Sequence, residues 1–160
     1  VTAIITVLPV RRQTAELFVA GLPAPQGSKR HVGGGVMIES SKKLKPWRKT
    51  IAEAARAHFA GYVPLDGAVH IDLEFVMPRP KATPKTKPTP PAVKRPDLDK
   101  LVRGALDALS GIAYGDDSQI ISMSPEKRVA ELGEATGLYF AVRPTAPRRT
   151  TRFVWPVIAA

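Results

Sequence analysis

The chain has 160 residues, enough for one domain with a sizeable core and too few for two ordinary ones. Its formal net charge of +10 points to nucleic acid, an anionic membrane surface or simple solubility, and no basic amphipathic helix with an aromatic face supports the membrane. No cysteine is present, which excludes disulfides, thiolate metal sites and cysteine nucleophiles and fits a reducing, cytoplasmic setting, while 16 prolines, about twice the usual usage, require extended or loop-like stretches.

The opening VTAIITVLPV is apolar but far shorter than a membrane span. It has no basic stretch before it and no small-residue cleavage site after it, and reads as a strand or a ragged start. Glu16 to Ala20 is a short strand. The following GLPAPQGSKRHVGGG reads as a Gly- and Pro-rich loop whose Lys29, Arg30 and His31 could approach a phosphate, with a plain connector as the competing reading. Its glycine run lacks the GK[ST] of a P-loop. Pro46 to Phe59 predicts an amphipathic helix, because proline suits a first turn and Trp47, Ile51, Ala54, Ala55 and His58 recur at helical spacing. From Val69 to Met77 the pattern has period two, which predicts a half-buried strand with His70, Asp72 and Glu74 on its solvated face.

Pro78 to Pro96 holds seven prolines and six Lys or Arg with no acidic residue. Such a segment builds no core and reads as a stiff, partly extended loop, either an arm laid along phosphates or a solubilising linker. Leu98, Leu101, Val102, Ala105, Leu106 and Leu109 then predict a second helix running to about Ser110, with Gly111 ending it. Ile120 to Met123 and Leu138 to Val142 predict two further strands. Past Glu134 no acid remains, while Arg143, Arg148, Arg149 and Arg152 make a basic tail.

Five of the seven aspartates fall between Asp97 and Asp117. On the second helix Asp99, Arg103 and Asp107 are spaced four apart, opposite the leucines, and their structural reading is an exposed ion-pair ladder. Asp97 likewise reads as a helix cap. Against that stands the second acidic element, Asp116-Asp117, which the helix could return to the same end of the sheet. Carboxylates brought together repel unless a cation neutralises them, and short oxygen ligands suit a hard ion such as Mg²⁺. Metal-assisted phosphodiester cleavage is the chemistry this pattern permits.

The run DLDKLVRGALDAL, then DDSQI, then Lys127, with an upstream P-x-P-x-x-x-x-R at Pro23 to Arg30, resembles the RusA family of Holliday junction resolvases over roughly residues 15 to 143. The resemblance implies an α/β (α+β) fold: a small mixed sheet of about four strands packed with two main helices, in a homodimer. It implies one nuclease domain over 1–143, carrying the basic loop 78–96, followed by the tail 144–160. The implied activity is Mg²⁺-dependent nicking of opposed strands of a four-way DNA junction in recombination and repair, with Mn²⁺ as a substitute metal, in a bacterial cytoplasm and often phage-encoded. Carried over by position, the metal-binding aspartates are Asp97, Asp99 and Asp117, with Asp116 beside them and Arg103 where the family usually has Lys. Lys100 replaces the family's usual Asn. Guanidinium stays protonated, so Arg103 suits phosphate or transition-state contact rather than proton transfer. Lys29, Arg30, Lys94, Arg95, Lys100 and Lys127 would contact DNA. The rival readings are a non-catalytic DNA- or RNA-binding protein and a nuclease for flaps or forks.

Overall fold

In the computed structural model the described residues are 10–11, 14–27, 29–31, 37–39 and 42–145, with side chains described at 14–27 and 42–145. Most of the opening apolar run, the Gly33–Gly35 run and the tail arginines Arg148, Arg149 and Arg152 lie outside them, as do the side chains of Lys29, Arg30 and His31. In chain order the elements are β1 (Val10–Arg11), β2 (Ala15–Ala20), β3 (Lys29–His31), β4 (Met37–Glu39), α1 (Leu44–His58), β5 (Tyr62–Val63), β6 (Val69–Met77), α2 (Leu98–Leu109), a 3₁₀ turn (Asp117–Gln119), β7 (Ile120–Val129) and β8 (Gly137–Pro144).

The period-two strand β6 lies inside a four-stranded mixed sheet of order β2-β8-β6-β7. It pairs antiparallel with β8 and parallel with β7. Parallel neighbours require a long crossover. Here the basic loop, α2 and the 3₁₀ turn make that crossover, so the acidic motif is carried from one strand to its neighbour. Val69, Ile71, Leu73 and Phe75 of β6 meet Leu138, Phe140 and Val142 of β8, Ile51 and Ala55 of α1, and Leu101 and Ala105 of α2 in one core. Burial of each large side chain there contributes about 1.5–3 kcal/mol. The two helices therefore cover one face of the sheet, and the other carries the polar residues of β6.

The architecture is the mixed sheet with two helices that the sequence implies, and the differences are local. Helix α1 begins at Leu44, so Pro46 sits within its first turn, where a missing N–H costs nothing. Strand β7 runs ten residues rather than four, because an edge strand tolerates Pro125 and shows polar residues to solvent. Lys29 to His31, expected in a loop, form β3, paired antiparallel with β4. Among the described residues no helix is long and apolar enough to cross a membrane.

Candidate functional site

Helix α2 rises about 1.5 Å per residue, which sets Asp99, Arg103 and Asp107 about 6 Å apart along its exposed side. The chain then turns through Gly111, whose φ of 74° is one glycine adopts without strain. Tyr114, fully buried, donates its hydroxyl to Leu106 O at 3.0 Å and pins the turn under the helix. Burial, with the charges of Asp117, Asp107 and Asp116, pushes the Tyr114 hydroxyl well above the usual phenol range. Asp117 emerges at the head of β7, and a cavity of about 770 Å³ gathers Asp99, Arg103, Asp107 and Asp117 against an apolar wall that includes Val102, Met123 and Pro125.

The five clustered aspartates have separate fates. Asp97 occupies the N-cap position of α2 but makes no capping bond; its carboxylate pairs with Lys100 Nζ at 3.0 Å. That bond, with the charges of Lys100, Arg95 and Lys127, holds its carboxyl below the usual range. Asp107 pairs with Arg48 of α1, which also donates to Gln26 Oε1 at 3.2 Å. Asp116 caps the 3₁₀ turn: its Oδ1 accepts from Ser118 N at 2.9 Å, its own N–H donates to Gln119 Oε1 at 2.8 Å, and the Ser118 bonds lower its carboxyl pKa. Asp99, Arg103 and Asp117 have no ion-pair partner among the described residues. The expected ladder on α2 does not form among the described residues, and Asp107 is instead paired with Arg48 from α1.

Among the described residues no three acidic or histidine side chains converge as a metal cage. Mg²⁺ asks for less: it keeps several waters and is commonly held by one or two carboxylates together with substrate phosphates. Asp99 and Asp117, two carboxylates outside any ion pair on one cavity, fit that requirement.

The basic residues divide in the same way. Lys127 donates to Lys94 O at 2.9 Å and Pro96 O at 2.8 Å, so its ammonium ties the end of the proline loop to the sheet. Arg79 donates to Thr89 Oγ1, Pro84 O and Lys87 O, which holds that loop in a folded course. Lys81, Lys85, Lys87, Lys94 and Arg95 remain exposed on it. The segment 22–27 is seated on α2 by Gln26 N donating to Lys100 O at 2.9 Å. Gly104 permits that approach: a Cβ there would stand 3.0 Å from Leu44 Cδ1 and 3.4 Å from Ala24 O.

The model of the endodeoxyribonuclease RusA family matches residues 20–136, which span the loop, both helices, the aspartate cluster and β7. The chain belongs to the RusA family. An uncharacterized protein, YqaN, of Bacillus subtilis (strain 168) is 29% identical over 115 residues, which cover 67% of this chain and 79% of that protein. The match takes in both Asp99 and Asp117, whereas all of β8 lies beyond it. Three residues of this RusA-family site escaped the sequence reading. Gln119 was legible as the fourth residue of a D-x-x-Q capping pattern. Its amide also donates to Gly67 O at 2.8 Å, tying the turn to the loop before β6. Gln26 and Arg48 carry no local signal, since their partners lie on α2, far along the chain.

Proposed function

We propose that this chain is a Mg²⁺-dependent nuclease that cuts four-way DNA junctions by paired nicks, with Asp99 and Asp117 holding the metal. The observation that carries the reading is the gathering of these two carboxylates, neither in an ion pair, with Arg103 on one cavity, in a chain of net charge +10 that belongs to an endodeoxyribonuclease family. Bound Mg²⁺ would supply an activated water and neutralise charge on the scissile phosphate, and Mn²⁺ would serve in its place.

The protein's own residues orient and grip. Arg103 stays charged and donates to phosphate oxygens without moving a proton. Asp97 joins the metal set when a phosphate competes for Lys100, and Asp116 sets the turn that presents Asp117. Lys127 fixes the proline loop beside Asp97, while Lys94, Arg95, Lys100, Lys29 and Arg30 meet the DNA backbone. Such contacts make binding strongly salt-dependent and weakly sequence-specific. A twofold pair of chains is the simplest source of two symmetric nicks. Residues 1–143 form the nuclease unit, acting in the cytoplasm.

One set of observations favours the non-catalytic reading: Asp97, Asp107 and Asp116 all have structural partners. The deciding experiment is nicking of a labelled four-way junction, with duplex, flap and fork controls, by wild type and Asp117→Asn in Mg²⁺ or EDTA. Symmetric, metal-dependent cuts lost in the variant are expected. Tight junction binding with no cutting under several divalent metals would leave a binding protein, and preference for the flap or fork would replace the resolvase.

A further inference from the structure

A second and larger groove, about 930 Å³, runs between the segment 22–27 and the proline loop and opens at Asp97. Both walls are fixed. Gln26 N on Lys100 O seats one, and Lys127 on the carbonyls of Lys94 and Pro96 seats the other. The lining is mainly apolar, and it contains two of the protein's exposed large apolar side chains, Val93 at 83% and Leu22 at 48%. Both present apolar surface along a groove that is itself mainly apolar.

Charge identifies the occupant. Lys43, Lys94, Arg95 and Lys100 stand around the groove against one acid, Asp97, which Lys100 already pairs. An apolar floor with a cationic rim matches a strand whose bases need an apolar surface and whose phosphates need cations. A paired duplex keeps its base faces stacked and offers none to an apolar floor. Prolines and aliphatic side chains can take unstacked base faces, as apolar wedges do in bent DNA. Gln26 lines both this groove and the acidic cavity, so a strand leaving one enters the other.

We infer that the groove holds an unpaired stretch of the DNA strand adjoining the phosphate to be cut. The site would select DNA in which base pairs open beside the scissile bond, which deepens the nuclease reading above and rests on it for the strand's identity. The test is fluorescence anisotropy with labelled oligothymidine and a blunt duplex of equal length, on wild type and on Leu22→Ser/Val93→Ser. Both positions are exposed, so the variant should melt as wild type does. Oligothymidine affinity should fall about tenfold, the scale of losing one buried aliphatic side chain's contact, with duplex affinity unchanged. An unchanged oligothymidine affinity, or an equal loss for duplex, overturns the inference. Wild type crosslinked to 4-thiothymidine DNA gives a reading free of any substitution: adducts should map to residues 22–27 or 90–95, and adducts confined elsewhere refute the groove. The two proposals fail separately. A chain that cuts nothing yet binds oligothymidine through Leu22 and Val93 loses only the nuclease reading. A chain that nicks junctions but binds oligothymidine independently of those residues loses only the groove.

Discussion

The two faces of the sheet handle negative charge in opposite ways. On the open face Asp72 sits between His70, at 2.9 Å, and Arg143, while Arg128 bridges Glu74 and Glu134. His70 is itself held by Ser122 Oγ at 2.7 Å. Burial works against the Asp72 carboxylate, but the bonds from His70 and Arg143 outweigh it and its pKa is lowered. On the helix side Asp99 and Asp117 share a cavity with Arg103 and form no ion pair among the described residues. Acids that stabilise a fold are given partners by the fold itself. Acids that the fold leaves out of ion pairs stay available to a cation from outside, which is the basis of the metal site proposed above.

The contrast breaks most sharply by substitution. Asp117→Asn or Asp99→Asn should lower junction nicking by more than about a hundredfold, beyond the loss typical of a residue that only supports a metal ligand. Their melting temperatures should match or exceed that of wild type, since a repelling charge is gone. A large fall in melting temperature would return these aspartates to a structural role. Arg103→Ala should cost about a hundredfold in nicking, the scale of one lost transition-state donor, while Arg103→Lys keeps the charge and loses less. A salt titration of junction binding separates the Arg103 effect from simple loss of grip.

On the open face the signs reverse. Asp72→Asn should leave nicking within about twofold and lower stability by about 1 kcal/mol, the upper end for a solvent-accessible ion pair. Chemical denaturation reads this directly. The smallest effect belongs to Glu134, whose carboxyl is held at about 2 by its bonds from Arg128 against an ordinary value of 4.5. A depressed carboxyl pKa contributes stability fully above the unfolded value and loses it as pH falls through the folded one. Glu134→Gln should therefore trail wild type by a constant margin above about pH 5, with the gap closing between about pH 4.5 and 2. A gap that widens on acidification would contradict the pairing.

Much of this was legible wherever the signal is local. The alternation from Val69 to Met77 set β6 at its observed bounds, and the leucine spacing set α2 to within a residue. The aspartate cluster stood out because it is dense within a basic chain. What stayed hidden depends on residues far apart. Arg48 could not be assigned to Asp107 before α1 and α2 were known to pack together, and Lys127, expected at a phosphate, proves to hold two backbone carbonyls of the proline loop. The second half of β7 is not legible, because Pro125 and its polar neighbours break an apolar pattern that an edge strand does not need.

The central claim is that Asp99 and Asp117 form a cation site left open by the fold. The most direct measurement is the melting temperature of wild type, Asp99→Asn/Asp117→Asn and Asp72→Asn with and without saturating Mg²⁺ at constant ionic strength. A ligand that binds only the folded state raises the melting temperature. Mg²⁺ should raise it for wild type and Asp72→Asn and leave the double variant unmoved, with that variant already more stable than wild type in EDTA. An equal Mg²⁺ response in all three proteins, or none in wild type, would contradict the claim.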